Sequence, residues 1–488
     1  MKKLRNVQQL KTQHLSTGDQ VHDRSGQPYT LGTMIASGRD GALYRCASDR
    51  SRSLRLFPTP LDDDALVSTL EALDVTGLSV CRPITWLGSD HPGFVTGASS
   101  ADTPLSSLIG RPGTPPTGSG NQSHELGLRR RLELLALLAE SLEMVQRRGM
   151  TYGALSSETV LVDLASLTSG EPSAINLSAY ESLRLHSGSH DTHWCDPLHA
   201  APELHKGLSG VNSLTVAYAL TVLVHEVLTG EHPLMGSMVR QDPDTMTEPA
   251  LQGTLPWTGH PKDDRNRLPL DQKRADEILT ILDPKTRLPQ LLDRTFRTGL
   301  NSPMSRPGVS HWARALRTAA GSTIRCEQCA CDFYVHHTSC PSCRAPRPLF
   351  VYGQAMIWDP EESKEQTAKA SRSTLDLGIA NHASPMRFNE KQLGCAGSAP
   401  EPALMVELEK TRKDKGGKLK ISNLMKTHTV EVSKGIRDST IATLEPNSEE
   451  SFEPRDLKSV LHLHRIEPKS DRMSTHRVFK IGFVGAAK

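Results

Sequence analysis

Aromatic side chains are scarce: Phe, Trp and Tyr together make up 4% of the 488 residues, against 36% hydrophobic residues overall. Cores built mainly on stacked rings are therefore excluded, and aliphatic packing has to carry the fold. No apolar run reaches the roughly 18 residues that a spanning helix needs. Charge of one sign is also missing. Lys plus Arg (57) nearly balances Asp plus Glu (55), for a net charge of +2, which excludes a globally basic nucleic-acid coat and an acidic solvating protein. The opening Met1-Lys-Lys-Leu-Arg-Asn-Val-Gln-Gln-Leu10 has charge but no apolar stretch, so it does not read as a secretory signal. Nine Cys, an odd number, then suggest reduced thiols in a cytoplasm, where clustered cysteines read as metal ligands rather than disulfides.

What the chain does have is Gly (36) and Pro (32), and the length suits several domains separated by irregular segments. Tyr29 to Arg45 and Ser53 to Phe57 alternate like antiparallel strands around a glycine-containing turn. Asp62 to Leu73 suits a helix whose acidic first turn favours its dipole. Arg82–Gly88 and Gly93–Thr96 read as two more strands. Residues 110–123 form a Pro/Gly/Ser linker. The leucine spacing predicts a helix from Arg129 to Arg148, and Thr159–Val162 reads as a short buried strand. Leu214 to Leu228 is almost continuously apolar and predicts a buried core helix, ended by Gly230 and Pro233. Residues 236–272 look irregular, and helical patterns return at 275–282, 288–299 and 309–319.

The order of strands, glycine turn, helix, long helix and buried helix resembles a protein kinase domain. Over about 290 residues the chain is similar to bacterial kinase-like proteins that carry a cysteine motif after the kinase domain. Some of these belong with 2C-type protein phosphatases and von Willebrand A-type proteins in tellurite-resistance-like systems. The matching residues are Pro83-Ile-Thr-Trp86, Gly93-Phe-Val, Ala201-Pro-Glu203, Gly230-Glu-His-Pro233, Leu255-Pro-Trp257, Arg306-Pro, Trp312 and Cys340-Pro-Ser-Cys343. The resemblance implies an α+β, bilobal fold with a small antiparallel β lobe and a larger α lobe.

A kinase needs charge arranged around a polyphosphate and its Mg²⁺. The glycine loop aligns as Ala36-Ser-Gly38-Arg-Asp-Gly41, with Ala in the first glycine position; Gly38 and Gly41 serve a plain hairpin as well as a phosphate cradle. The strand Lys aligns with Arg55, whose planar fork does not replace an ammonium. Its helix partner would be Glu71. The catalytic loop aligns as Tyr152-Gly-Ala154-Leu, which puts Ala154 at the catalytic Asp and Thr159 at the metal-binding Asn. Ala179 stands at the metal-binding Asp; no Asp occurs between Asp163 and Asp191, and Asn176 is the nearest polar substitute. Val216 stands where the core helix usually carries an Asp. In the resemblance, Glu203 is held by a structural Arg. Each lost Asp is asked for several kcal/mol of transition-state stabilisation, so the expectation is a pseudokinase with weak or no ATP/Mg²⁺ binding.

Cys326-x2-Cys329, ten residues, then Cys340-x2-Cys343 is the most specific motif in the chain. Two such hooks suit a tetrahedral Zn²⁺, and a closed set of four thiolates is structural. Cys331, His336 and His337 are spare candidates. Arg325, Arg344 and Arg347 are too few to argue for nucleic acid. The basic run Lys410, Arg412, Lys413, Lys415, Lys418 and Lys420 reads first as a solvated loop. Cys46, Cys81, Cys195 and Cys395 read as inert.

The expected division is therefore an N-terminal extension (1–28), a kinase-like domain (29–320), a zinc ribbon (321–347), a linker (348–402) and a β-rich module (403–488). The expected function is that of a cytoplasmic scaffold or regulator whose partners, by the resemblance, include a 2C-type phosphatase and a von Willebrand A-type protein. Two alternatives are a nucleotide-binding enzyme with residual phosphoryl or nucleotidyl transfer, and a nucleic-acid binder acting through the ribbon and the basic run.

Overall fold

The computed structural model describes residues 15–38, 41–57, 64–109, 126–163, 165, 175–185, 195–358, 377–389, 402–409, 418–433, 440–452, 461–466 and 476–486. The chain divides into two compact units. The first comprises Met1–Leu126 and Glu133–Leu316, the second Gly127–Leu132 and Arg317–Lys488. The 110–123 linker, Cys395 and Lys410 to Lys415 lie outside the described residues.

The first unit opens with a six-stranded antiparallel sheet in the order β1-β2-β3-β4-β6-β5. Its strands are β1 (Gln20–His22), β2 (Pro28–Gly38), β3 (Gly41–Cys46), β4 (Arg52–Leu56), β5 (Pro83–Trp86) and β6 (Gly93–Gly97). Val21, Leu31, Leu54 and Val95 alternate inward from four of them to form one aliphatic core. Because β1 pairs with β2, residues 20–22 belong to the sheet rather than to an extension ending at 28. Helix α1 (Asp64–Ala72) lies between β4 and β5 in sequence.

Helices dominate the rest of the unit. After the two-residue strand β7 (Thr103–Pro104), α2 (Leu128–Arg147) buries Leu132, Leu135, Leu138, Leu142 and Val145, the stripe read from the leucine spacing. The short strands β8 (Met150–Tyr152), β9 (Val160–Val162), β10 (Ile175–Leu177) and β11 (Leu183–Leu185) follow, paired as β10-β9-β7 and β11-β8. The apolar run forms α3 (Ser213–Thr229). Asn212 caps it through a reciprocal box with Thr215, and Gly230 ends it in the left-handed conformation, where glycine has no Cβ penalty. Within 236–272, expected to be irregular, helices cover Ser237–Gln241 and Pro243–Leu251. Asp242 caps the second of these and Pro243 opens it, a start signal that outweighs the polar composition.

The second unit is a β-sandwich with the cysteine hooks built onto it. After the hairpin β12 (Thr323–Arg325) and β13 (Asp332–Tyr334) come β14 (Phe350–Trp358), β15 (Leu377–Ala380), β16 (Met386–Asn389), β17 (Pro402–Glu409), β18 (Lys418–Asn423), β19 (Thr429–Ser433), β20 (Thr440–Leu444), β21 (Ser448–Phe452), β22 (Leu461–Ile466) and β23 (His476–Val484). They form sheets in the orders β15-β14-β23-β22-β19-β20 and β16-β17-β18-β21. Leu404, Val406, Leu408, Leu419, Ile421, Val430 and Val432 alternate into the shared core. The β-rich module therefore begins at Phe350, because β14, β15 and β16 fall within the stretch read as a 348–402 linker. β15 and β16, at four residues each, are too short to show a period, and β14 is mostly apolar rather than alternating. Among the described residues no helix is long and apolar enough to cross a membrane.

Candidate nucleotide cleft and four-cysteine centre

The glycine hairpin forms, but its glycines answer to the protein rather than to a phosphate. Gly38 pairs with Gly41 across the β2–β3 end. A Cβ on Gly41, at φ 128°, would lie 2.0 Å from the Leu56 carbonyl oxygen, so β4 itself demands glycine there. A Cβ on Gly38 would lie 3.7 Å from Cβ of Glu158, in the loop aligned with the catalytic loop. Behind the tip, Ala36, Leu43, Cys81, Ala101 and Leu161 form one buried apolar cluster that joins the hairpin directly to β9.

Arg55 is buried in β4, and its partner is not Glu71. Its Nε and Nη2 both donate to Oε1 of Glu181, at 3.0 and 2.6 Å. The two side chains are 4% and 0% exposed. Glu71 is exposed on α1. Burial pushes the Glu181 carboxyl up, and the Arg55 guanidinium opposes that rise. Arg55 keeps its charge in any surroundings, and its fork lies at ion-pair distance from the Glu181 carboxyl, 2.6 Å. Cys81, next to this pair, is pushed up to about 12 by burial, which leaves an unreactive thiol.

The residues aligned above with a kinase's reacting groups are buried and largely tied to the backbone. Ala154 and Ala179 are fully buried. The Thr159 hydroxyl donates to the Ala154 carbonyl and accepts from the Ser156 N–H at 3.1 Å, so it braces the turn. The Tyr152 hydroxyl accepts from the Ala179 N–H at 3.0 Å and donates to the Thr159 carbonyl at 3.4 Å. The carboxylates among the described residues from 149 to 185 are Glu158, Asp163 and Glu181. Asn176 lies on β10, with its Oδ1 buried and unpartnered.

Glu203, in the Ala201-Pro-Glu203 stretch matched above by resemblance, is firmly held. Arg306 Nη1 and Nη2 reach Glu203 Oε1 and Oε2 at 2.6 and 2.8 Å, a bidentate pair with the Arg306 guanidinium over the Tyr218 ring. This is the structural Arg that the resemblance implied for Glu203. Sequence reading missed a second strap. His199 lies between Asp196, at 3.0 Å from Nδ1, and Glu226 of α3, at 2.9 Å from Nε2. Burial works against the charged ring, but the two carboxylates raise His199 to about 10, so it is an imidazolium.

The two cysteine hooks are alike in backbone as well as in spacing. Ala330 N–H donates to the Cys326 carbonyl and Arg344 N–H to the Cys340 carbonyl, at 3.1 and 2.9 Å. Cys326 N–H donates to the Cys331 carbonyl and Cys340 N–H to the Ala345 carbonyl, at 2.9 and 2.7 Å. Ala330 and Arg344, one residue past each hook, both have positive φ, 58° and 64°. This repeat turns four Sγ atoms onto one point: all lie within 4.8 Å of one another, and Cys326–Cys343 and Cys329–Cys340 are 3.6 Å apart. Thiolates about 2.3 Å from a tetrahedral Zn²⁺ would stand about 3.8 Å from each other, so the donor set fits that ion. Burial raises the Cys329 thiol, but the Cys331 N–H and the neighbouring thiols outweigh it and bring it down to about 7. Cys331 itself is raised by burial. The hooks are not a free-standing ribbon: Ile324, Cys326, Phe333, Cys340 and Ala345 share a buried cluster with Phe350 and Ile379 of the sandwich. Lys420, the end of the basic run, pairs with Glu449 at 2.8 Å.

No protein-family model matches the chain, and no curated protein matches it. Among solved structures the chain is similar to vaccinia related kinase 3, at 18% identity and a TM-score of 0.38, over 61% of this chain and 95% of that one.

Proposed function

We propose that the first unit is a catalytically inactive, bilobal protein-kinase-like module and that the chain works by binding, as a scaffold or regulator. The observation that carries this reading is the capture of Arg55 by Glu181. The one cation aligned to grip phosphates is committed to a buried carboxylate, and releasing it would strand Glu181 without a partner at nearly zero exposure. Ala154 can accept no proton from a substrate hydroxyl, and Ala179 offers Mg²⁺ no oxygen on its side chain. The Arg306–Glu203 pair supports the kinase-like part, because it is a structural rather than a catalytic landmark.

In the second unit, Cys326, Cys329, Cys340 and Cys343 would hold Zn²⁺ as a structural ion. With four thiolates no position is left for water, so the ion would supply folding energy rather than Lewis-acid chemistry. The resemblance points to a bacterial cytoplasm and to partners such as a 2C-type phosphatase and a von Willebrand A-type protein.

A thermal-shift titration with ATP, with and without Mg²⁺ or Mn²⁺, tests the reading. A ligand at 100 times its dissociation constant stabilises the folded state by about 2.7 kcal/mol. The expected result at millimolar ATP is no shift. A metal-dependent rise in melting temperature, followed by transfer of phosphate or AMP to protein, would overturn it.

A further inference from the structure

The two cysteine hooks repeat residue for residue: Cys326 answers to Cys340, Cys329 to Cys343, Ala330 to Arg344 and Cys331 to Ala345. At the last of these positions the backbone has the same role in both hooks. Its carbonyl accepts the N–H of the hook's first cysteine, from Cys326 at 2.9 Å and from Cys340 at 2.7 Å. Ala345 shows that this role asks for no thiol. The first hook carries one all the same.

That fifth thiol stands among the other four. Cys331 is half-buried and packs against the cluster that contains Cys326 and Cys340. Its side chain is within hydrogen-bond reach of the Cys340 thiol. It is not one of the four Sγ atoms that lie within 4.8 Å of one another, and its S–H donates to the Asp332 carbonyl at 3.5 Å. The spacing is suitable too. Zinc hooks take about two to four residues between their cysteines, so Cys326-x4-Cys331 is as admissible a hook as Cys326-x2-Cys329. Cys326 and Cys340 are buried, whereas Cys329 and Cys343, the second ligands of the two hooks, are exposed. A thiolate that solvent reaches is the one open to oxidation or capping.

We propose that Cys331 is a reserve ligand of the metal centre. When Cys329 is lost as a ligand, Cys331 takes the fourth position, and Cys326, Cys331, Cys340 and Cys343 hold the ion. The second hook has no such reserve, because Ala345 stands at the matching position. The centre is therefore asymmetric: it tolerates the loss of Cys329 and not that of Cys343. A cysteine kept only for packing would leave both equally indispensable. The proposal rests on the structural-zinc reading above and adds a residue to it.

Zinc content and Co²⁺ spectra of the purified full chain test it. The variants are Cys331→Ala, Cys329→Ser, Cys343→Ser and the joint change Cys329→Ser with Cys331→Ala. Zinc should be retained in the wild type, in Cys331→Ala and in Cys329→Ser. Against a chromogenic chelator, Cys343→Ser and the joint variant should bind zinc about 10-fold or more weakly than Cys329→Ser, since even an outer-shell contact carries a loss of that size. With Co²⁺ bound, the sulfur-to-metal charge-transfer band grows with the number of thiolates. It should match the wild type in Cys329→Ser and fall in the joint variant. A variant that unfolds without metal is read after refolding with Co²⁺. Equal zinc loss in Cys329→Ser and Cys343→Ser would overturn the proposal and leave the zinc reading intact. So would a Cys329→Ser chain whose affinity and band do not depend on Cys331. Loss of zinc in Cys331→Ala would overturn it as well, because Cys331 would then be a resident ligand. A wild-type chain that binds neither zinc nor Co²⁺ would overturn both readings.

Discussion

Cutting the Arg55–Glu181 pair on one side should be far more damaging than removing it whole. Both groups are almost completely buried, and Glu181 Oε2 has no hydrogen-bond partner. Arg55→Met therefore strands a carboxylate in an apolar interior, at a cost of about 3–5 kcal/mol, and Glu181→Leu strands a guanidinium at a similar cost. The double variant Arg55→Met with Glu181→Leu should come back to within about 1 kcal/mol of the wild type. With a urea slope of about 1–3 kcal/mol/M, each single change moves the midpoint by about 1–3 M. Trp86, Trp257 and Trp312 are buried in the first unit, so intrinsic fluorescence follows its unfolding. A pH series adds a second check. In Arg55→Met the main opposition to the burial that raises Glu181 is gone, leaving only the lesser backbone and Arg184 contributions, so its folded-state pKa lies further above the unfolded value. A group raised in this way contributes stability that is present below the unfolded pKa and lost as pH rises through the folded one. The penalty of Arg55→Met should accordingly be smallest near pH 4–5 and grow toward pH 8. Additive single changes, each below about 1 kcal/mol, would refute the reasoning.

Metal analysis of the purified chain should give one Zn²⁺ per chain, lost in Cys340→Ser. Because the hooks share a core with Phe350 and Ile379, chelation should also lower the melting temperature of the sandwich. His199, raised to about 10 from an ordinary value of 6.5, should stabilise fully below about pH 6.5 and lose that contribution as pH rises toward 10. Glu226→Gln should flatten that decline in a melting-temperature profile, and an unchanged slope would refute it. Arg306→Ala, which leaves Glu203 facing a hydrogen-bonding void, should lower the stability of the first unit by about 3–5 kcal/mol in the same urea assay.

The elements with strong periodicity were legible in the sequence. The stripe of α2 and the apolar run of α3 fall within a residue or two of their expected bounds, because burial on one face or all round leaves a clear pattern. The four hook cysteines come together because their spacing alone dictates a turn at each end. The partner of Arg55 was not legible. Glu71 and Glu181 are both single acids at plausible distances along the chain, and only the placement of the Tyr180–Ser182 turn decides for Glu181. A signal was present: Glu181 is the acid closest to a position where an Asp is missing. The His199 strap was hidden for a related reason, since Asp196 and Glu226 are 30 residues apart in sequence and meet only through the fold. Of the sandwich strands that escaped, β15 and β16 are four residues each and carry too few alternations to stand out, while β14 is mostly apolar over nine residues and so does not alternate.

Retained residues in such a cleft are weak witnesses to retained chemistry. Gly41 looks like a phosphate-loop glycine, yet any side chain there would collide with the β4 backbone whether or not a nucleotide exists. Arg55 looks like a preserved phosphate contact, yet it is held by a buried carboxylate that would be costly to leave alone. Tyr152 and Thr159 show the same reassignment, with hydroxyls directed at the backbone of Ala179 and Ala154 rather than at a ligand. Gly41, Arg55, Tyr152 and Thr159 are thus each explained by folding alone.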